Sequence, residues 1–277
     1  MALRKYDDVT LNKLHKVQLE ILDEFVRVCQ KNNLTYFLVG GTLLGAIRHS
    51  GFIPWDDDID IGMPRKDYDK FLEICNKELD KKYFLDCFDT NNEHYFPFAK
   101  IRKDGTIFDE EWSHHLDNNK GIFIDIFPFE NISNPKSPWF KIRAIIISSI
   151  TDVLLYKAKI KKVKETHHPL VVSVFNLFSK PINIKIQKYL ICCCKDDNSK
   201  YISVLAGGYG YRREMNLREN VLPAKPIVFE NKEYMGMNNN DIYLTNLYGD
   251  YMKLPPKEKH YNHMPLNIKF GDLDEEE

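Results

Sequence analysis

Between Trp55 and Gly62 the chain sets Asp56, Asp57, Asp58 and Asp60 within five residues, in the run Trp55-Asp56-Asp57-Asp58-Ile59-Asp60-Ile61-Gly62. Carboxylates this dense repel one another unless cations neutralise them. Within the same run Ile59 and Ile61 alternate with Asp58 and Asp60, the two-residue period of a strand. On a strand Asp58 and Asp60 project from one face, roughly 6.5–7 Å apart at their Cα atoms. The alternation puts Asp56 on that face too and points Asp57 elsewhere. Oxygen ligands so placed suit divalent metal ions, and Mg²⁺ is the ordinary partner of carboxylates and phosphate oxygens.

The segments around this strand predict a mixed sheet. A helix is expected over Leu11–Cys29, whose apolar residues recur at helical spacing, with Thr10 as N-cap. A short strand, Thr35–Val39, stops at Gly40-Gly41, and a helix follows over Thr42–His49. Two glycines after a strand let the backbone approach a phosphate, and the helix turns its positive end there. Thr42 adds a hydroxyl donor. Beyond a helix over Arg65–Leu79, strands are expected at Tyr83–Phe88, Phe96–Arg102 and Gly121–Phe127. The order argues for an α/β chain of the α+β kind with a mixed sheet. Asp125 is the lone acid of its apolar run, either a third metal ligand or a capping carboxylate.

After Asn131 the character changes. Trp139–Tyr156, Leu170–Phe178 and Ile182–Cys194 read as apolar helical segments. Lys157, Lys159, Lys161, Lys162 and Lys164 fall between the first two. The expected organisation is a catalytic core over 1–130, a helical insertion over 131–200 and a part completing the core over 201–277. There a β-like Ile227–Tyr234 and a helix near Asn239–Tyr248 precede a frayed acidic end, Asp272–Glu277. The insertion is either a helical subdomain with a solvated lysine stripe or a surface resting on an anionic leaflet.

Composition excludes several classes. With 39 basic and 40 acidic side chains the net charge is -1, which rules out a generally basic nucleic-acid coat. No run of about 18 uncharged apolar residues exists to span a bilayer, and the amino terminus lacks a secretory stretch. The six cysteines have no CxxC spacing, so a cytosolic protein with reduced thiols is expected.

The stretch LVGGTLLGAIRHSGFIPWDDDIDIGMPRKDYDKF, followed later by GIFIDIFP, resembles the LicD family, within the nucleotidyltransferase-like folds. The resemblance covers most of 11–130 and, more weakly, the Tyr243–His263 block. It implies transfer of phosphocholine from CDP-choline to a sugar hydroxyl of a teichoic-acid or lipopolysaccharide precursor, releasing CMP. On this reading Asp58, Asp60 and Asp125 hold Mg²⁺ or another divalent ion, or Asp125 serves as base. Gly40, Gly41 and Thr42 cradle the diphosphate, and Arg48, Lys100 and Arg102 bind phosphate oxygens. The glycan acceptor is expected to be lipid-linked, at the inner face of the membrane. Rival readings are transfer of another CDP-linked alcohol such as ribitol phosphate, NMP transfer from a nucleoside triphosphate, and a membrane-associated scaffold. His260-Tyr261-Asn262-His263 looks like the family's C-terminal block, while His114-His115 and His167-His168 are other pairs of undecided role. Trp55, Trp112 and Tyr95 are the aromatics nearest the catalytic blocks for a choline group.

Overall fold

The computed structural model describes residues 6–162, 168–205, 207–260 and 262–274. Lys164, His167, Tyr261 and the last three acidic residues lie outside the described residues. The chain runs α1 (Asp8–Lys31), β1 (Phe37–Leu38), α2 (Gly40–His49), β2 (Asp60–Pro64), α3 (Arg65–Glu78), β3 (Tyr83–Asp86), β4 (Ala99–Lys103), β5 (Ile107–Asp109) and β6 (Phe123–Ile132). It continues through α4 (Pro138–Lys157), α5 (Pro169–Asn176), α6 (Lys180–Ile191), β7 (Tyr201–Ser203), β8 (Asn216–Leu217) and α7 (Arg218–Val221). It closes with β9 (Lys225–Phe229), β10 (Lys232–Gly236), α8 (Asn240–Tyr248) and β11 (Asn267–Lys269).

The result is a mixed α/β architecture on a curled sheet. Its strands lie in the order β1-β2-β6-β4-β3, with β2 and β6 parallel and the other neighbours antiparallel. β6 outruns its partners, and its far end, Glu130–Ile132, pairs with β7, which pairs with β8. Helix α1 packs against β4 and β6 because Leu14, Val17, Ile21, Leu22 and Phe25, one stripe at helical spacing, are wholly buried. Each such side chain contributes roughly 1.5–3 kcal/mol of burial. Phe25 meets Tyr36 and Phe71 at 5.4 and 5.0 Å, tying α1 to α3.

Helices α4, α5 and α6 fall within 131–200 and pack on one another around two smaller clusters. One holds Phe140, Ile147, Leu190 and Ile191, the other Tyr95, Ile150 and Leu154. No helix among the described residues is long and apolar enough to cross a membrane.

Several expected boundaries move. The N-cap of α1 is Asp7, whose carboxylate accepts from the Thr10 amide at 2.8 Å, so Thr10 lies inside the first turn. An acid beats a hydroxyl there because it also meets the helix dipole. Helix α2 begins at Gly40, so the glycines belong to its first turn rather than to a loop before it. The strand expected at Phe96 begins at Ala99, and the one expected over Ile227–Tyr234 is a hairpin. Glu230 and Asn231 turn that hairpin with φ of 49° and 59°, left-handed values that a propensity reading passes over.

Candidate active site

Strand pairing builds the centre of the site. Asp60 of β2 lies opposite Asp125 of β6, Asp125 opposite Lys100 of β4, and Lys100 opposite Asp86 of β3. Paired positions share a face, so two acids, a lysine and a third acid form a row across four strands. Like charges directly opposite are destabilising, and Lys100 offsets one side of the pair by reaching Asp125 at 2.6 Å. β2 starts only at Asp60, so Asp58 and Asp56 sit on the extended approach to it. Asp56, Asp58 and Asp60 nevertheless border one cavity, as the alternation predicts.

Helix α2 is shaped around these carboxylates. Gly40 has φ +54°, and a Cβ there would lie 2.8 Å from Asp60 Oδ2; at Gly41 it would lie 2.7 Å from Asp56 Oδ2. The glycines thus let carboxylates approach the helix start, whereas the sequence suggested a phosphate. The Gly40 amide already donates to the Tyr243 hydroxyl at 3.2 Å. Thr42, also expected on the phosphate, is buried, and its hydroxyl accepts from the Asp60 amide at 2.8 Å. Its position in the first turn fixes the Asp60 backbone.

Burial and crowding leave the acids short of positive charge. Burial first, then Asp58, Asp125 and Asp56, push the Asp60 carboxyl well above its usual range. Burial, Asp58 and Asp57 do the same to Asp56. Asp58 is raised to about 6, chiefly by lost hydration, with Asp57 and Asp125 adding repulsion that His263 partly offsets. His263 is raised to about 9, first by its hydrogen bond with Asp57. Its Nδ1 lies 3.0 Å from Asp57 Oδ1 and 3.8 Å from Asp58 Oδ2, and its amide donates to Asp57.

Asp58 and His263 stand on the wall between two cavities. The larger, about 490 Å³, is also bordered by Gly41, Arg48, Trp55, Tyr209, Tyr248 and Lys253. The smaller, about 240 Å³, is bordered by Asp125, Lys100, Glu110 and an aromatic set. Arg48 is steadied by the Tyr251 carbonyl at 2.8 Å. Arg102 borders neither cavity: it is buried against Asp86 Oδ2 at 2.7 Å and the Gly121 carbonyl at 3.0 Å. Its place two residues from Lys100 is right for the site, but Asp86 takes its charge.

Sequence reading missed the Asp57–His263 pair, Tyr243 under Gly40, and Glu214. The last is a buried acid beside Gly207 that burial raises to about 7. Nothing local marks these pairings, because 206 positions separate Asp57 from His263. His260 stacks on Trp55 at 3.4 Å. His114 and His115 pair with Asp109 and the Ala158 carbonyl. Tyr95 joins the helical cluster instead of either cavity.

One grouping among the described residues could hold a metal ion. Asp57, Asp58 and His263 bring ligand atoms within 4.8 Å of one another. Both Asp57 oxygens already accept hydrogen bonds, from His263 and from the Tyr6 hydroxyl. That leaves Asp58, with Asp56 and Asp60, as the carboxylates short of a cation, since Asp125 already holds Lys100.

Comparison with known proteins bears on the same residues. The family described as LicD/FKTN/FKRP, nucleotidyltransferase domain, matches residues 33–151. The lipopolysaccharide cholinephosphotransferase LicD of Haemophilus influenzae is 31% identical over 271 residues, covering 92% of this chain and 96% of that protein. The ribitol 5-phosphate transferase FKRP of Mus musculus is 30% identical over 104 residues, 38% of this chain and 18% of that one. An uncharacterised Rickettsia typhi protein is 44% identical over 55 residues, 20% of this chain and 18% of its own length.

Proposed function

The chain belongs to the LicD family of phosphotransferases, and on that premise we propose that it moves phosphocholine from CDP-choline to a sugar hydroxyl of a lipopolysaccharide or teichoic-acid precursor. The observation that carries this reading is the wall of Asp58 and His263 between two cavities, with Asp60 lining the larger and Asp125 the smaller. A diphosphate ester has two parts to accommodate on either side of its reacting phosphorus, and the wall provides for both.

In this reading the nucleotide occupies the larger cavity, where Trp55, Tyr209 and Tyr248 offer ring faces and Arg48 and Lys253 meet phosphate oxygens. Asp58 and Asp60, with Asp56 beside them, would hold Mg²⁺ or another divalent ion. Bound there, the metal supplies positive charge to the bridging phosphates. The acceptor oxygen attacks the choline-bearing phosphorus in line with the CMP oxygen, the new P–O bond forms, and the old one breaks with its electron pair leaving on CMP. The acceptor proton passes to the Asp125 carboxylate, which Lys100 keeps oriented. His263, cationic at neutral pH, lies beside the phosphoryl oxygens and stabilises their charge.

Ribitol phosphate transfer is the second reading, favoured by the mouse relative. A lipid-linked acceptor and contact with the inner membrane face extend the first. Leu170 and Leu177 on and after α5 are 83% and 85% exposed, and Lys157 at the end of α4 donates to the Asn176 carbonyl beside Leu177.

The deciding experiment gives the protein CDP-choline, CDP-ribitol, CTP or UDP-sugars, with Mg²⁺ or EDTA, and reads thermal shift with the donor alone and CMP release once a saccharide acceptor is added. CDP-choline is expected to give the largest Mg²⁺-dependent shift, lost in Asp58→Asn and Asp60→Asn. A preference for CTP with pyrophosphate release would overturn the reading in favour of NMP transfer.

A further inference from the structure

The smaller cavity has a chemistry of its own. Phe96 and Phe98 reach it from the loop before β4, Trp112 from the turn after β5, and Phe123 from the start of β6. Phe96 lies 5.2 Å from Phe98 and 5.5 Å from Trp112 between ring centroids, so the rings form neighbouring walls. The chain already places one cation against them. Lys100 Nζ stands 3.6 Å from the Phe123 centroid, 5.5 Å from Phe98 and 5.9 Å from Phe96. Ring faces carry negative quadrupole charge, and an ammonium among them marks a place that favours cations.

Charge points the same way. The cavity is lined by Asp57, Asp58, Glu110 and Asp125 against Lys100 and His263, an excess of acid. Asp125 pairs with Lys100 at 2.6 Å and offsets that cation's charge. Glu110 is buried and accepts from the Trp112 indole at 3.1 Å, which fixes both wall and counter-charge. The cavity meets the nucleotide side at Asp58 and His263, so a donor with its phosphates there extends its head group into this space.

Resting on the phosphocholine reading, we propose that Phe96, Phe98, Trp112 and Glu110 form the subsite for the quaternary ammonium of the donor, and that this subsite selects choline over polyol head groups. A trimethylammonium has no hydrogen to donate and is satisfied by ring faces and a nearby carboxylate. A ribitol chain would bury several hydroxyls against carbon, which costs binding because they lose water without gaining partners. The subsite is also the smaller of the two, about 240 against 490 Å³, as suits a head group compared with a nucleotide.

Calorimetric titration of wild type, Phe96→Leu, Trp112→Leu and Glu110→Gln with CDP-choline, CDP-ethanolamine, CDP-ribitol and CMP tests this. Wild type is expected to bind CDP-choline most tightly. Each variant is expected to lose about tenfold for CDP-choline while CMP affinity stays unchanged. Glu110→Gln keeps the shape, so it reads the charge even where an aromatic change perturbs the fold. Variants that keep the full CDP-choline preference would overturn the subsite and leave the phosphocholine reading standing. A wild-type preference for CDP-ribitol would overturn both.

Discussion

At Gly41 a single missing methyl group decides where a carboxylate sits. Alanine favours helices over glycine by up to ~1 kcal/mol, and φ at this position is not left-handed. Gly41→Ala is therefore expected to leave stability unchanged or slightly raised, while its Cβ, 2.7 Å from Asp56 Oδ2, displaces that acid. CMP release should fall at least ~10-fold, since misplacement on the ångström scale has that effect. A fully active variant would remove Asp56 from the machinery. Glu214 makes a second case at this scale. Its carboxyl is raised from 4.5 to about 7 by burial, so the folded state holds a proton that the unfolded chain releases. Its contribution is complete below about pH 4.5 and is lost as pH rises through 7, on the order of 3 kcal/mol. Urea midpoints measured from pH 4.5 to 8 should decline less steeply in Glu214→Gln than in wild type. Parallel declines would show that Glu214 carries no shift.

At the scale of elements, the row across β2, β6 and β4 couples sheet formation to the site. Parallel pairing sets Asp60 beside Asp125, and antiparallel pairing brings Lys100 to the other side. Removing one partner of a buried pair typically costs 3–5 kcal/mol, because the other charge is left uncompensated. Lys100→Met is expected to lose about 3 kcal/mol in EDTA by urea denaturation and to recover part of it with Mg²⁺. Unaltered metal-free stability would mean that the pair is neutral. The contrast with Arg102 is instructive: both cations face one side of β4, yet β3 brings Asp86 to Arg102 and leaves Lys100 for Asp125. Strand period revealed the shared face, but neighbouring strands assigned the partners.

At the scale of the whole molecule, a chain with a buried cluster of carboxylates also carries helices with apolar side chains in solvent. Leu170, Leu177 and Tyr189 are 83%, 85% and 74% exposed on and around α5 and α6. Basic residues add about 1 kcal/mol each near an anionic surface. The protein is expected to sediment with phosphatidylglycerol vesicles in low salt and less with phosphatidylcholine ones. Leu170→Ser with Leu177→Ser should weaken that binding while CMP release from CDP-choline with a soluble acceptor persists. Equal sedimentation of the variant would place the contact elsewhere.

Residues 38–64 and 121–128 by themselves specified much of this protein. Gly40-Gly41, Asp56 to Asp60 and Asp125 were legible because strand period and charge crowding are local properties, as was the mixed order of elements. The tertiary structure decided what those residues touch. It turned the glycines toward Asp60 and Asp56, set Thr42 under the Asp60 amide, and withdrew Arg102 into Asp86. It also brought His263 to Asp57 from the far end of the chain and gathered Phe96, Trp112 and Phe123 around one cavity. Local pattern fixes which face a side chain takes on its own element. Partners across that face come from strand register and chain closure, which no window of sequence contains.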